Sequence, residues 1–154
     1  MNFFKVLLII ALFCVPLSQA AASDELPPGV KVLTPEQIKW VKGPSGRETA
    51  NLMGDPKKPG PYLYLVKWPP NGKEVAHKHP DDRYGIVISG VHYIGYGEKF
   101  DEKKLHADPA GSYFTEPANT PHFGITKGEG AILLFYGVGP SAIIPVEHAD
   151  AQKK

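Results

Sequence analysis

The chain has 154 residues, with 17 Lys and Arg against 16 Asp and Glu, so it carries no basic excess with which to hold nucleic acid or an anionic membrane. Its one cysteine, Cys14, falls in an N-terminal leader, so the mature chain is expected to form no disulfide and to offer no thiolate ligand. Gly and Pro number 16 each, a density that suits many short strands joined by tight turns and argues against long helices.

The leader comes first. Lys5 precedes an apolar run from Val6 to Val15, then Pro16 and the small residues Ser18-Gln19-Ala20-Ala21-Ala22. This is the layout of a secretory signal peptide cut after Ala20 or Ala22. The run falls short of the roughly 20 apolar residues that span a bilayer. The expectation is a signal peptide over 1–22 and one mature domain over 23–154, its core at about 60–140, exported to the periplasm or beyond.

Thr34-Pro35-Glu36-Gln37 predicts one helical turn, with Thr as N-cap, Pro at N1 and Gln at N3. Ile38 and Val41 would dock its apolar side. Residues 54–61 read as a turn-rich surface loop. Strands are then expected over Tyr62 to Trp68, Glu74 to His79, Tyr84 to Ser89 and Val91 to Tyr96. Phe100 to Leu105 suggests a second helical turn capped by Asp101. Gly111 to Phe114 and His122 to Thr126 predict a hairpin, and Ala131 to Tyr136 a strand buried on both faces. Residues 137–154 show few regular signals and read as a tail.

Chemistry concentrates in the histidines. His77 and His79 stand one residue apart, and positions i and i+2 of a strand share a face. His122 follows His79 by 43 positions, just after Pro117-Ala-Asn-Thr-Pro121. A third imidazole from a distant strand would complete a facial ligand set with open positions for water, oxygen or substrate.

These residues resemble the cupin superfamily, whose first motif is G-x5-H-x-H-x3,4-E-x6-G and whose second is G-x5-P-x-G-x2-H-x3-N. Gly72-Lys-Glu-Val-Ala-His77-Lys-His79 misses the first spacing by one residue, and the stretch from His79 to Gly90 keeps its length. The second motif runs from Gly111 through Pro117 and Asn119 to His122 and Thr126 with every interval intact. The resemblance implies an all-β fold, a cupin-type double-stranded β-helix (jelly-roll) barrel. It also implies that His77, His79 and His122 hold a divalent metal: Fe, Mn, Ni or Zn. It leaves the reaction open, because the superfamily hosts dioxygenases, isomerases, lyases, decarboxylases and non-enzymatic binders.

The departure from the pattern is Arg83, which stands where the family places a glutamate ligand. A guanidinium stays protonated and cannot coordinate a cation. Three accounts stay open. Arg83 grips a substrate carboxylate or enolate beside a three-histidine metal centre; or Asp81 or Asp82 swings in as ligand and Arg83 turns outward; or no metal binds, and Arg83 with the histidines forms an anion pocket. Asn119 replaces the second motif's usual glycine, a tolerable exchange because Asn accepts left-handed backbone geometry. Thr126 replaces its closing asparagine.

Other groups read as structural. His92, His106 and His148 are expected to be packing histidines, although His92 sits in an alternating stretch that could aim either side inward. The tyrosines and tryptophans read as core and rim, with Tyr93 or Tyr96 able to offer a phenol as acid or base. Glu116 is expected to be exposed. The leading expectation is an exported small-molecule metalloenzyme, a dioxygenase first, with Arg83 orienting an anionic substrate. Its rivals are an isomerase or lyase using a tyrosine or His92 as proton carrier, and a non-catalytic metabolite- or metal-binding domain. Homodimer formation is expected by the resemblance, with Leu26 to Val41 as a contact.

Overall fold

The structure, a computed structural model, describes residues 26–146. The signal-peptide reading, with Cys14, and His148 lie outside the described residues. Residues 26–33 form a unit apart from the rest, with a turn in which Val30 N–H donates to the Pro27 carbonyl. The predicted helical turn is a 3-10 turn over Pro35–Gln37, where the Gln37 side chain accepts from the Thr34 N–H at 2.9 Å. Ile38 beside it is half-buried, whereas Val41 is 67% exposed and enters a strand.

Among the described residues, nine antiparallel strands form one sheet that curls on itself. In chain order they are β1 (Val41–Lys42), β2 (Glu48–Met53), β3 (Gly60–Trp68), β4 (Lys73–Lys78), β5 (Arg83–Tyr96), β6 (His106–Pro109), β7 (Tyr113–Glu116), β8 (His122–Gly139) and β9 (Ile144–Pro145). The second expected turn is present at Glu102–Lys104, with Asp101 accepting from the Lys103 N–H as its cap.

Two long strands organise the curl. β5 and β8 pair along most of their lengths, from Arg83↔Gly137 to Tyr96↔His122, with register shifts between Val87 and Ser89 and between Gly90 and His92. An extra residue bends a strand, so each long strand serves both sides of the jelly roll. One side carries β1, β2, β3, the second half of β8, the first half of β5, and β7; the other carries β9, β4, the first half of β8, the second half of β5, and β6. The four segments read separately as Tyr84 to Ser89, Val91 to Tyr96, His122 to Thr126 and Ala131 to Tyr136 are therefore only two strands. Gly90 and Gly130, both at φ 75°, lie at the bends, where a β-carbon would strike backbone across the ladder.

The expected two-sided burial of Ala131 to Tyr136 does not hold, because Tyr136 is 41% exposed on the outer face. The tail reading also needs correction. Gly137 to Gly139 continue β8, and Ile144–Pro145 form a strand against His77 and Lys78 of β4.

Inside the curl, Val66, Trp68, Val87, Ile94, Phe114, Ala131, Leu133 and Phe135 form the core, with Tyr64 and Tyr96 packed against it. Each large apolar side chain so buried contributes about 1.5–3 kcal/mol relative to exposure. Val66, Trp68, Ile94 and Phe135 of this core also line the cavity that His77 and His122 line.

Candidate metal centre

His77 lies on β4 and His122 begins β8, and the two are direct cross-strand partners. β4 gains one residue relative to β8 between Glu74 and His77, a bulge that turns both Glu74 and His77 toward the interior. His79 follows the end of β4. Its carbonyl accepts from the Asn119 N–H at 2.7 Å, which fastens the 117–121 loop beside it. Asn119 adopts φ 57°, the left-handed backbone that the family's glycine position requires. Thr126 ties the two motifs together. Its Oγ donates to the Pro69 carbonyl at 2.6 Å and accepts from the Gly72 N–H at 3.0 Å, holding the turn that leads into β4.

The three imidazoles are buried, and one nitrogen of each comes within 4.8 Å of the other two. Each Nδ1 donates to a backbone carbonyl: His77 to Val75 at 3.0 Å, His79 to Ala142 at 2.8 Å, and His122 to Thr120 at 3.0 Å. A proton held on Nδ1 leaves a lone pair on Nε2. Burial pushes all three imidazoles below the usual histidine range, His79 to about 2 with help from the Arg83 charge, so they stand neutral as ligands must. Ala142 comes from the stretch read as a tail, so a segment that sequence reasoning passed over sets the tautomer of one candidate ligand.

Arg83 points inward and is 7% exposed. Its guanidinium donates from Nη2 to the Tyr64 hydroxyl at 2.6 Å, stacks 4.2 Å from the Phe135 ring centroid, and places Nε 3.3 Å from Glu116 Oε2. Nη1 also touches both ring nitrogens of His79. A donor along the in-plane lone pair of one nitrogen would stand far from the other, so Nη1 lies over the ring face and leaves that lone pair uncapped. The account with an outward Arg83 and a shifted aspartate does not match this arrangement. Asp81 accepts from the Tyr62 hydroxyl at 2.6 Å, and Asp82 accepts from the Ala118 N–H at 2.7 Å.

Glu116, expected at the surface, is 5% exposed and faces the histidines. Its Oε2 lies 3.6 Å from His79 Nε2 and 3.5 Å from His122 Nε2. Burial raises its pKa, and Arg83 opposes that rise without cancelling it. A sequence signal existed. Phe114 and Glu116 are two apart on β7, so a core phenylalanine puts the glutamate on the inner face.

A cavity of about 260 Å³ opens onto the cluster, with Tyr64, Trp68 and Phe135 among its walls and the Arg47–Glu74 ion pair, 2.6 Å long, in its lining. His92 lines it too, with an unpartnered Nδ1, so the inward set of its alternating stretch is His92 and Ile94. Tyr93 and Tyr96 are not brought to this cavity. Tyr93 lies under the Lys127 ammonium, and the Tyr96 hydroxyl donates to the Thr115 carbonyl at 2.6 Å, with burial pushing its pKa up to about 12.

The residues present fit a divalent ion. Among the described residues, Glu116 Oε2 and His122 Nε2 are buried acceptors without a hydrogen-bond partner, and each faces the other. Acceptors left this way are costly unless a cation or proton lies between them.

Comparison with known proteins agrees with this geometry. The family model of the ChrR cupin-like domain matches residues 29–142. The chain belongs to that cupin family. No curated protein matches the sequence. Among solved structures, the polyketide cyclase RemF from Streptomyces resistomycificus is similar to this cupin with a TM-score of 0.65 at 18% identity, over 79% of this chain and 88% of that one. KdgF from a Halomonas species gives 0.58 at 15%, over 79% and 98%. A sugar phosphate isomerase of the cupin superfamily from Silicibacter pomeroyi gives 0.55 at 18%, over 71% and 76%. At such identities the likeness shows the fold alone.

Proposed function

We propose that this cupin is an exported metalloenzyme acting on a small anionic molecule at a centre formed by His77, His79 and His122. The observation that carries the reading is the three imidazoles, each locked by a backbone carbonyl into the tautomer that presents an Nε2 lone pair. When bound, a divalent Fe, Mn, Ni or Zn ion supplies Lewis-acid polarisation of substrate oxygens and, if redox-active, a route to dioxygen chemistry.

The chain's own groups define what enters. Arg83, held by the Tyr64 hydroxyl and the Phe135 ring, lines the cavity with a fixed positive charge that orients a carboxylate or enolate beside the ligands. The fixed charges around the cavity, Arg47 and Arg83 against Glu74 and Glu116, cancel as formally ionised groups, so a divalent ion would leave an excess of positive charge for an anion to meet. Trp68 and Phe135 exclude water from one wall. Dioxygenase chemistry is our first assignment within this class. An isomerase or lyase is the rival, and there His92 is the proton carrier that reaches the cavity, ahead of Tyr93 and Tyr96.

The alternative class is a non-catalytic metabolite- or metal-binding domain, which metal without turnover would favour; its metal-free form, an anion pocket of Arg83 and the histidines, has less support. Three neutral imidazole lone pairs and a carboxylate offer acceptors where an anion needs donors. Export rests on the leader-like residues 1–22. A homodimer is supported by exposed apolar residues on one outer sheet face, Tyr84, Ile86 and Tyr136 among them.

The deciding experiment is metal analysis of mature protein purified without chelator or polyhistidine tag. About one equivalent of transition metal, lost in His122→Ala, supports the enzyme and starts a screen of small carboxylates and diketones with and without oxygen. No metal after anaerobic reconstitution rejects it.

A further inference from the structure

We infer that Glu116 is the fourth protein ligand of the centre, a carboxylate delivered from β7 because β5 carries Arg83 where a ligand would otherwise stand. The inference rests on the three-histidine reading and extends it to a residue that the second motif spans but leaves unspecified, the position just before Pro117.

The geometry is specific. Arg83 and Glu116 are Cα partners across the β5–β7 ladder, so their side chains rise from the same rung on the same face. A carboxylate moved across that rung enters the same space from the neighbouring strand. Glu116 Oε2 stands 3.6 Å from His79 Nε2 and 3.5 Å from His122 Nε2. Ligands about 2.1 Å from one ion in a tetrahedral set stand about 3.4 Å apart. Two edges of such a set are thus already in place.

The hydrogen bonding points the same way. His122 Nδ1 gives its proton to the Thr120 carbonyl, so its Nε2 is an acceptor, and so is an ionised Glu116. Both atoms are buried, and neither has a hydrogen-bond partner among the described residues. Two buried acceptors face to face at 3.5 Å are too far apart for a good hydrogen bond through one proton. A cation satisfies both. Arg83 serves as the counter-charge of Glu116, with Nε 3.3 Å from Oε2, and its hold on Tyr64 gives it a second partner when the carboxylate turns to the ion.

Co(II) titration tests this, followed by absorbance of the d–d bands, on the parent, Glu116→Gln and His122→Ala. We expect the parent to bind one equivalent, and Glu116→Gln to bind at least tenfold more weakly with shifted bands, since even indirect supports of a ligand are worth 10–100-fold. Glu116→Gln also leaves the Arg83 charge buried without its partner, which endangers folding. The titration is therefore repeated on Arg83→Gln and on Arg83→Gln/Glu116→Gln, where the carboxylate is the sole difference. Equal affinity and equal spectra within either pair, with His122→Ala still impaired, would overturn the Glu116 assignment and leave the three-histidine site standing. No Co(II) binding by the parent would overturn both.

Discussion

Arg83 and Glu116 sit opposite each other on one rung of the β5–β7 ladder, both almost fully buried, with Nε 3.3 Å from Oε2. Their attraction offsets the cost of taking two charges out of water, and losing one partner of such a pair typically costs about 3–5 kcal/mol. Arg83→Glu goes further, because it sets two carboxylates on the same rung, where like charges repel. We expect this variant to melt well below the parent in chelator and to recover most of the loss in zinc, since an ion between the carboxylates replaces the guanidinium. It should also hold metal more tightly than the parent. Calorimetric melts in chelator and in zinc check both points; a variant as stable as the parent in chelator would show that the pair contributes little.

Removing either cross-strand histidine should empty the centre. His77 and His122 are Cα partners with ring centroids 4.4 Å apart, so each truncation deletes a ligand and opens the wall beside the other. Elemental analysis of His77→Ala and His122→Ala should show metal falling well below half an equivalent, with circular dichroism unchanged. Parental metal content in both variants would exclude these residues as ligands.

His92 makes an acid-sensitivity prediction. Burial against Trp68 and Phe114 pulls its pKa down to about 4, against roughly 6.5 in an unfolded chain. The folded protein holds this imidazole neutral while the unfolded chain protonates it, so its contribution is neutral above pH 6.5 and turns destabilising as pH falls toward 4. The accumulated loss is about 3 kcal/mol, at 1.36 kcal/mol for each pKa unit. The ligand histidines titrate in the same direction, so the measurement is the difference between parent and His92→Gln. Denaturant midpoints from pH 7.5 to 4.5, in metal-free protein, should fall less steeply in the variant. Parallel curves would mean that His92 is protonated as easily when folded as when unfolded.

How much of this was legible beforehand depended on whether a signal was local. The strand face of His77 and the position of His122 followed from period and motif, and Asn119 was readable as a left-handed turn residue. Glu116 was misjudged because it was weighed as a charge beside a proline; counted from Phe114 at a period of two, it belongs inside. Ala142, which orients His79, and the β9 strand were missed for a deeper reason. Residues 141–145 carry no strong strand pattern, and their pairing with β4 is a long-range contact that no window along the chain contains. β1 and β2 were missed because Val41–Lys42 and Glu48–Met53 are half polar; β1 pairs with β2 in a short hairpin, and β2 pairs with the sheet edge at β3.

The last prediction links packing to the site. Gly85 is buried on β5, and a β-carbon there would lie 2.2 Å from Cζ of Phe114. Phe114 cannot retreat easily, because its ring packs edge-on to Phe135 at 5.7 Å and against His92 at 5.2 Å. Gly85→Ala should therefore cost about 1–3 kcal/mol by overpacking. Phe114 and Glu116 share the inner face of a four-residue strand that, among the described residues, pairs with β5 alone, so pushing the ring outward drags the carboxylate away from His79 and His122. Gly85→Ala should thus weaken Co(II) binding as well as stability. Phe114→Leu should relieve part of both effects in the Gly85→Ala background while destabilising the parent, a non-additivity that a double-mutant cycle reads directly. Additive stabilities would mean that Phe114 is not what limits the space at Gly85.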